Sequence, residues 1–160
     1  MSKWHATIRD DVTTIADILA VSRAEKAVNP ALSAIFVDYL QLVRGERRKT
    51  DNRETEVAGI SRSLRLLGME LNVPVFALSQ TNKEGDTRES KAIEMDATAI
   101  WRIERIPAPK ARHDDPETYV DNLRAFVIPI QRNGESGVFF RTSFLGSIAR
   151  MEDYHGDPNE

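Results

Sequence analysis

Apolar residues fall into short runs and helical stripes along this chain, separated by polar, charged or proline-containing stretches. Trp4 to Ile8 reads as a short strand that ends at Asp10-Asp11. Thr14, with Asp17 three residues on, has the form of a capping box. Ile15, Ile18, Leu19 and Ser22 then share one face of a helix, and Asn29-Pro30 stops it. Ala34-Ile35-Phe36-Val37 is a continuous apolar run, the pattern of a strand buried on both faces, and it ends in Asp38. Arg44 to Arg53 reads as an exposed charged loop. Asp51 or Asn52 caps a second helix, with Glu54 near its third position and an apolar stripe of Val57, Ile60, Leu64, Leu67 and Leu71. Asn72 ends that helix and Pro74 follows. Val75 to Leu78 is another short buried strand, running into Ser79-Gln80.

Asn82 to Thr87 is a polar loop, Ala99 to Ile103 a strand, and Pro107 to Tyr119 a charged insertion. Leu123 to Gln131 and Val138 to Phe144 flank Asn133-Gly134, a hairpin signal with a loop longer than two residues. Pro129 inside the first of these strands calls for an edge or a bulge. The order predicts an α/β domain: a mostly parallel sheet flanked by helices, with a C-terminal β-hairpin. A length of 160 residues, 41% of them hydrophobic, suits one domain. That domain is expected over residues 1–154, with a frayed tail over 155–160.

Composition narrows the chemistry. The chain has no cysteine, which excludes disulfides and thiolate metal sites. His5, His113 and His155 lack ligand spacing to one another. Trp4 and Trp101 read as packing residues, and Met69 and Met95 as core gap-fillers. No apolar stretch reaches the roughly 20 residues that span a bilayer, so a soluble, cytoplasmic protein without a membrane partner is expected. The net charge of −3 does not advertise nucleic-acid binding. The basic cluster of Arg44, Arg47, Arg48, Lys49 and Arg53 reads chiefly as a solvated loop, although a local positive patch can meet phosphates.

Candidate chemistry gathers at two strand ends. An acidic residue at the carboxyl end of a buried strand is where α/β sheets place ligands, and Asp38 has that position. Such an Asp holds Mg²⁺ beside nucleotide phosphates in phosphoryl-transfer enzymes. Alone, it reads as an Asp that merely caps a turn. Ser79 and Gln80 would emerge beside Asp38 if their strands are neighbours, and a Gln there can orient water or sense a terminal phosphate.

Five segments in order carry a family resemblance. Phe36 to Leu42 resembles the Walker B segment of DnaB-type replicative DNA helicases, and Glu56 to Leu71 resembles the helix after it. Asn72-Val73-Pro74-Val75-Phe76-Ala77-Leu78-Ser79-Gln80 is similar to the next family motif, glutamine included. Arg88 to Ala97 resembles the segment whose loop faces single-stranded DNA. Gln131-Arg132-Asn133-Gly134-Glu135-Ser136-Gly137 resembles the segment carrying the arginine finger. The resemblance covers about Ile8 to Phe144 and implies a RecA-like fold.

It also implies roles. Asp38 would place Mg²⁺, and Ser79 and Gln80 would face the nucleotide, with Gln80 coupling phosphate state to the DNA loop. Arg132 would reach the ATP of a neighbouring subunit in a hexameric ring. Outside this motif, Arg132 would read as a hairpin-base arginine paired with a surface carboxylate. Arg88, Glu89, Ser90 and Lys91 would form the DNA loop, Arg88 meeting phosphate and Glu89 orienting the loop. The other reading of that stretch is a charged helix start.

Three departures from the family pattern qualify these roles. No G-x-x-x-x-G-K-S/T occurs, so the phosphate-binding loop is expected to lie before this chain, together with the family's catalytic glutamate segment. Ile130 stands where the family has a lysine two residues before the finger. Lys91 replaces a family glycine in a DNA loop that reads as shortened. The expected function is part of an ATP-dependent 5′–3′ DNA helicase of DNA replication, a hydrolase in its intact form that binds ATP and DNA. The chain is not expected to hydrolyse ATP alone. It would work by self-association or with a subunit that bears the phosphate loop. The alternative is a non-catalytic module, derived from the same fold, that binds single-stranded DNA or associates with a helicase.

Overall fold

The computed structural model describes residues 5–45, 52–80, 90–107 and 119–155. The chain divides into two compact units, Met1–Ala97 and Thr98–Glu160.

Local sequence rules build the first unit. Thr14 caps α1 (Ile15–Val28) by accepting from the Asp17 amide at 3.1 Å, and its hydroxyl donates to the Asp17 carboxylate at 2.6 Å. The helix ends at Asn29, as Asn29-Pro30 predicts. Asn52 caps α2 (Arg53–Leu71), accepting from the Thr55 amide at 2.8 Å. Asn72 ends it in the left-handed conformation, φ 51°, which a short polar side chain tolerates. The predicted stripe of α2 is in place: Val57, Ile60, Leu64 and Leu67 are all buried and Leu71 is half-buried. Burial of each such side chain stabilises by about 1.5–3 kcal/mol against leaving it in water.

Two short strands, β1 (Ile35–Val37) after α1 and β2 (Val75–Ala77) after α2, pair in parallel as Ile35↔Val75, Phe36↔Phe76 and Val37↔Ala77. A 3-10 turn, Leu40–Leu42, follows β1. Val37, Leu40 and Val43 meet Ile15, Ile60 and Leu64 in the core, with Ile18, Leu19, Val75 and Ile93 packed around them. The last element is α3 (Ser90–Asp96), a helix at the stretch read chiefly as a DNA loop.

Several local expectations are corrected here. His5 to Ile8 forms no strand. β1 is not covered on both faces, because Phe36 is 69% exposed and stacks on Phe76 with ring centroids 4.8 Å apart. Arg53 opens α2 instead of lying in a solvated loop. Met69 and Met95 are exposed, so neither fills a core gap. Predictions over residues 46–51 and 81–89, among them the loops containing Arg47, Arg48, Lys49 and Asn82 to Thr87, lie outside the described residues.

The second unit is an antiparallel sheet in the order β3-β4-β5-β6, built from β3 (Ala99–Pro107), β4 (Tyr119–Gln131), β5 (Val138–Leu145) and β6 (Arg150–Asp153). The predicted C-terminal hairpin is β4–β5, in register from Leu123↔Ser143 to Ile128↔Val138. Pro129 does sit at an irregularity. The β3–β4 register slips between Ile100↔Ile130 and Arg102↔Val127, so Ile128 and Pro129 together oppose Trp101. A proline cannot donate to the ladder, and a bulge in a strand paired on both sides accommodates it. β6 had no apolar alternation to announce it, and all four of its residues are exposed. The mixed parallel and antiparallel strands with their helices fit the expected α/β class, with the antiparallel part larger than one hairpin.

Candidate functional site

The β1–β2 pairing brings the two strand ends together. Val37 opposes Ala77, so Asp38 leaves one strand beside Leu78, and Ser79 and Gln80 follow. The Leu78 amide donates to Val37 O at 3.0 Å, and the Leu40 amide donates to Leu78 O at 2.9 Å. Asp38, Ser79 and Gln80 are all exposed at the same end of the sheet. The Asp38–Tyr39 peptide bond is cis.

Three residues that sequence reasoning missed support this end. The Gln41 side chain donates to Ser79 Oγ at 3.0 Å and to Gln80 O at 3.3 Å, and its Oε1 accepts from the Gln80 amide at 3.3 Å. Arg53 Nη2 donates to Gln41 O at 3.0 Å. Glu56 is buried, pairs with Arg53 at 2.8 Å and accepts from the Gly45 amide at 2.9 Å. Gly45 permits that approach: a Cβ there would stand 2.8 Å from Glu56 Cγ. A signal for Glu56 was present, since it lies four residues before Ile60 and so shares the buried stripe of α2.

The DNA-loop candidates divide. Arg88 and Glu89 lie outside the described residues, as does the Ser90 side chain. Lys91 is exposed on α3. The far end of α3 is tied to α2, Asp96 lying 3.5 Å from Arg62 and 3.9 Å from Arg65. Residues 81–89 therefore connect two anchored points, the Gln80 strand end and α3.

In the second unit, Arg132 is exposed in the β4–β5 loop, its backbone amide donating to Thr98 O at 2.9 Å. Ser136 shapes this loop by bonding the amide and the carbonyl of Gln131 at 3.0 and 3.3 Å. Ile130 is a half-buried strand residue opposite Ile100.

The donor chemistry at the first unit's strand ends fits magnesium and a nucleotide. Asp38 offers one exposed carboxylate, and Mg²⁺ is commonly held by one or two carboxylates together with substrate phosphates and water. Ser79 and Gln80 offer neutral hydrogen-bonding groups at the adjoining strand end. Among the described residues there is no cluster of three metal-ligating side chains that would enclose an ion by itself. No described helix is long and apolar enough to cross a membrane.

The chain as a whole is similar to known proteins. Residues 1–153 match the family of the DnaB-like helicase C terminal domain. The chain is 38% identical over 156 residues to the replicative DNA helicase DnaB of Haemophilus influenzae and 37% identical over 152 residues to the replicative DNA helicase DnaC of Bacillus subtilis. Each alignment covers 88% of this chain and 31% of the relative, so the chain spans about a third of their length. Among solved structures, a DnaB-like replicative helicase, described with its interactions with primase, superimposes with a TM-score of 0.72 at 26% identity, over 89% of this chain and 36% of that one. A second solved structure, described as an ATPase domain, superimposes with a TM-score of 0.72 at 25% identity, over 89% and 52%. The RadB recombinase, at 18% identity and a TM-score of 0.53, shares the fold over 84% of this chain and 57% of its own. The family expected from the order of the five motifs is the family found, and the chain belongs to the DnaB-like helicase C-terminal domain family.

Proposed function

We propose that this chain is the later part of a replicative helicase motor that couples ATP hydrolysis to DNA unwinding. The observation that carries the reading is the parallel register Val37↔Ala77, which sets Asp38 and Gln80 at neighbouring strand ends. Asp38 would hold Mg²⁺, which when bound neutralises charge on the nucleotide phosphates. Ser79 and Gln80 would face the terminal phosphate. Because Gln80 leads directly into residues 81–89 and α3, a change sensed there would pass along the chain to Arg88, Glu89, Ser90 and Lys91, which would meet single-stranded DNA. Arg132 would act on the nucleotide of a neighbouring subunit, stabilising charge on the transferring phosphoryl group.

The 160 residues contain no phosphate-binding loop sequence, so the chain alone is expected to hydrolyse ATP no faster than a buffer blank. Catalysis would need that loop to be supplied from outside these 160 residues, and joint assembly with a loop-bearing helicase subunit is one way to supply it. The deciding experiment mixes the chain with a loop-bearing helicase and follows DNA-dependent ATP turnover. Turnover above that of the helicase by itself, lost in Asp38→Ala or Arg132→Ala, is the expected outcome. Co-assembly without any gain in turnover favours the second reading, a non-catalytic module that binds single-stranded DNA or joins a ring.

A further inference from the structure

We propose that Gln41 is a positioning residue whose side-chain amide replaces the next rung of the β1–β2 ladder and so holds Ser79 and Gln80 in register with Asp38. The proposal deepens the reading of Asp38 and Gln80 as nucleotide-facing groups and rests on it.

The backbone ladder between the strands ends where the Leu40 amide donates to Leu78 O. Past that point the chain turns into the 3-10 turn, the Leu42 amide bonding Tyr39 O and the Val43 amide bonding Leu40 O. The backbone of the turn is thereby committed to itself, and β2 would lose its partner one residue before Gln80. A primary amide carries one acceptor and two donors, the same complement as a peptide unit with one N–H to spare. Gln41 uses all of it: Oε1 accepts from the Gln80 amide, while Nε2 donates to Gln80 O and to Ser79 Oγ. The flipped amide would set N–H against N–H and oxygen against oxygen, so the network fixes the orientation.

The turn that carries Gln41 is held from the other side. Arg53 bonds Gln41 O and is paired with the buried Glu56, which also takes the Gly45 amide. Charge-assisted bonds at a part-buried position are the stronger kind. Glu56, Arg53, Gln41 and Gln80 thus form one connected set running from the buried start of α2 to the exposed strand end.

Residue-resolved amide hydrogen exchange on the 160-residue chain tests this directly. In Gln41→Leu, exchange at the Gln80 amide should accelerate by on the order of tenfold. The amides of Leu78 and Leu40, bonded within the ladder, should keep their wild-type rates. Gln41→Glu supplies a readout that a general packing role would not move. Its protonated carboxyl offers one donor and one acceptor, enough for both bonds to Gln80, whereas the ionised form only accepts and sets its charge against Gln80 O. The Gln80 protection factor in Gln41→Glu should therefore rise as pH falls through the carboxylate range, while that of the wild type stays flat. Equal Gln80 protection in wild type and Gln41→Leu overturns the proposal, as does an acceleration shared by Leu78 and Leu40. If Gln41→Leu does not fold, the pH profile of Gln41→Glu decides, and a flat profile overturns it. Failure of the wider reading has a different signature: Gln80→Ala that leaves DNA-dependent turnover of the assembled subunits unchanged removes Gln80 as a sensor and leaves the exchange result intact.

Discussion

Glu56 occupies a position where an apolar residue would be expected, and its burial at 6% exposure is tolerable because both of its oxygens are engaged. Glu56→Ala leaves the Gly45 amide and the Arg53 guanidinium without that carboxylate. A loss of about 1.5–3 kcal/mol is expected, read from the urea midpoint at unchanged m-value. An exposed ion pair behaves differently. Arg23 and Glu70 join α1 to α2 through two 2.8 Å bonds, and the hydrogen bond from Arg23, followed by its charge, holds the Glu70 carboxyl below its ordinary value of 4.5. A carboxyl depressed in the folded state contributes stability at neutral pH and loses it as pH falls through and below that ordinary value. Both groups are solvated, so the contribution is small and weakens with salt. Thermal midpoints of Glu70→Gln should fall less steeply with acid than those of the wild type, and the two curves should converge in high salt; parallel curves would exclude the pair as a source of acid sensitivity.

The helices were readable at the level of single elements because their ends obey local chemistry. Thr14, Asn52 and Asn72 each act at the positions their side chains suit. Asn52→Ala should cost about 1 kcal/mol, detectable as a lowered thermal midpoint, since one amide at the start of α2 loses its acceptor. Pro129 was readable for the same reason, its missing donor forcing a bulge. The strands that misled did so because burial is not a local property. Ile35-Phe36-Val37 has the composition of a strand covered on both faces, yet Phe36 stacks on the neighbouring Phe76 and remains 69% exposed. At the site, Asp38 and Gln80 could be named because strand ends in α/β sheets carry ligands. Gln41 could not, since its role depends on a turn withdrawing the backbone from the ladder.

At the scale of the whole molecule, β1 and β2 pair with each other and with no other strand among the described residues. Their outer edges present backbone donors and acceptors beside the exposed Phe36 ring, the features that draw in another strand. The chain is therefore expected to self-associate or to join a loop-bearing helicase. Sedimentation velocity across a concentration series should show the weight-average coefficient rising. A coefficient that stays flat, alone and in the mixture, would rule out both. Single-stranded DNA binding belongs to this scale too. Fluorescence anisotropy should report weak binding that fades with added salt and weakens equally for all sequences in Arg88→Ala and Lys91→Ala. Binding untouched by either substitution would place the contact elsewhere.

The β3–β4 ladder closes on the rung Pro107↔Tyr119, directly bracketing residues 108–118. Whatever length of chain joins those two residues, its ends are already delivered to adjacent positions by the sheet. Lengthening a flexible connection between fixed ends adds about 0.6 kcal/mol of closure entropy for each doubling. The segment is thus a natural port for engineering: an epitope or a fluorogenic peptide spliced into 108–118 should leave the thermal midpoint within a few degrees of the parent. Because the port lies outside the Asp38–Gln80 strand ends and the Arg132 loop in sequence, it would let the expected association be followed by energy transfer without altering any residue assigned a role.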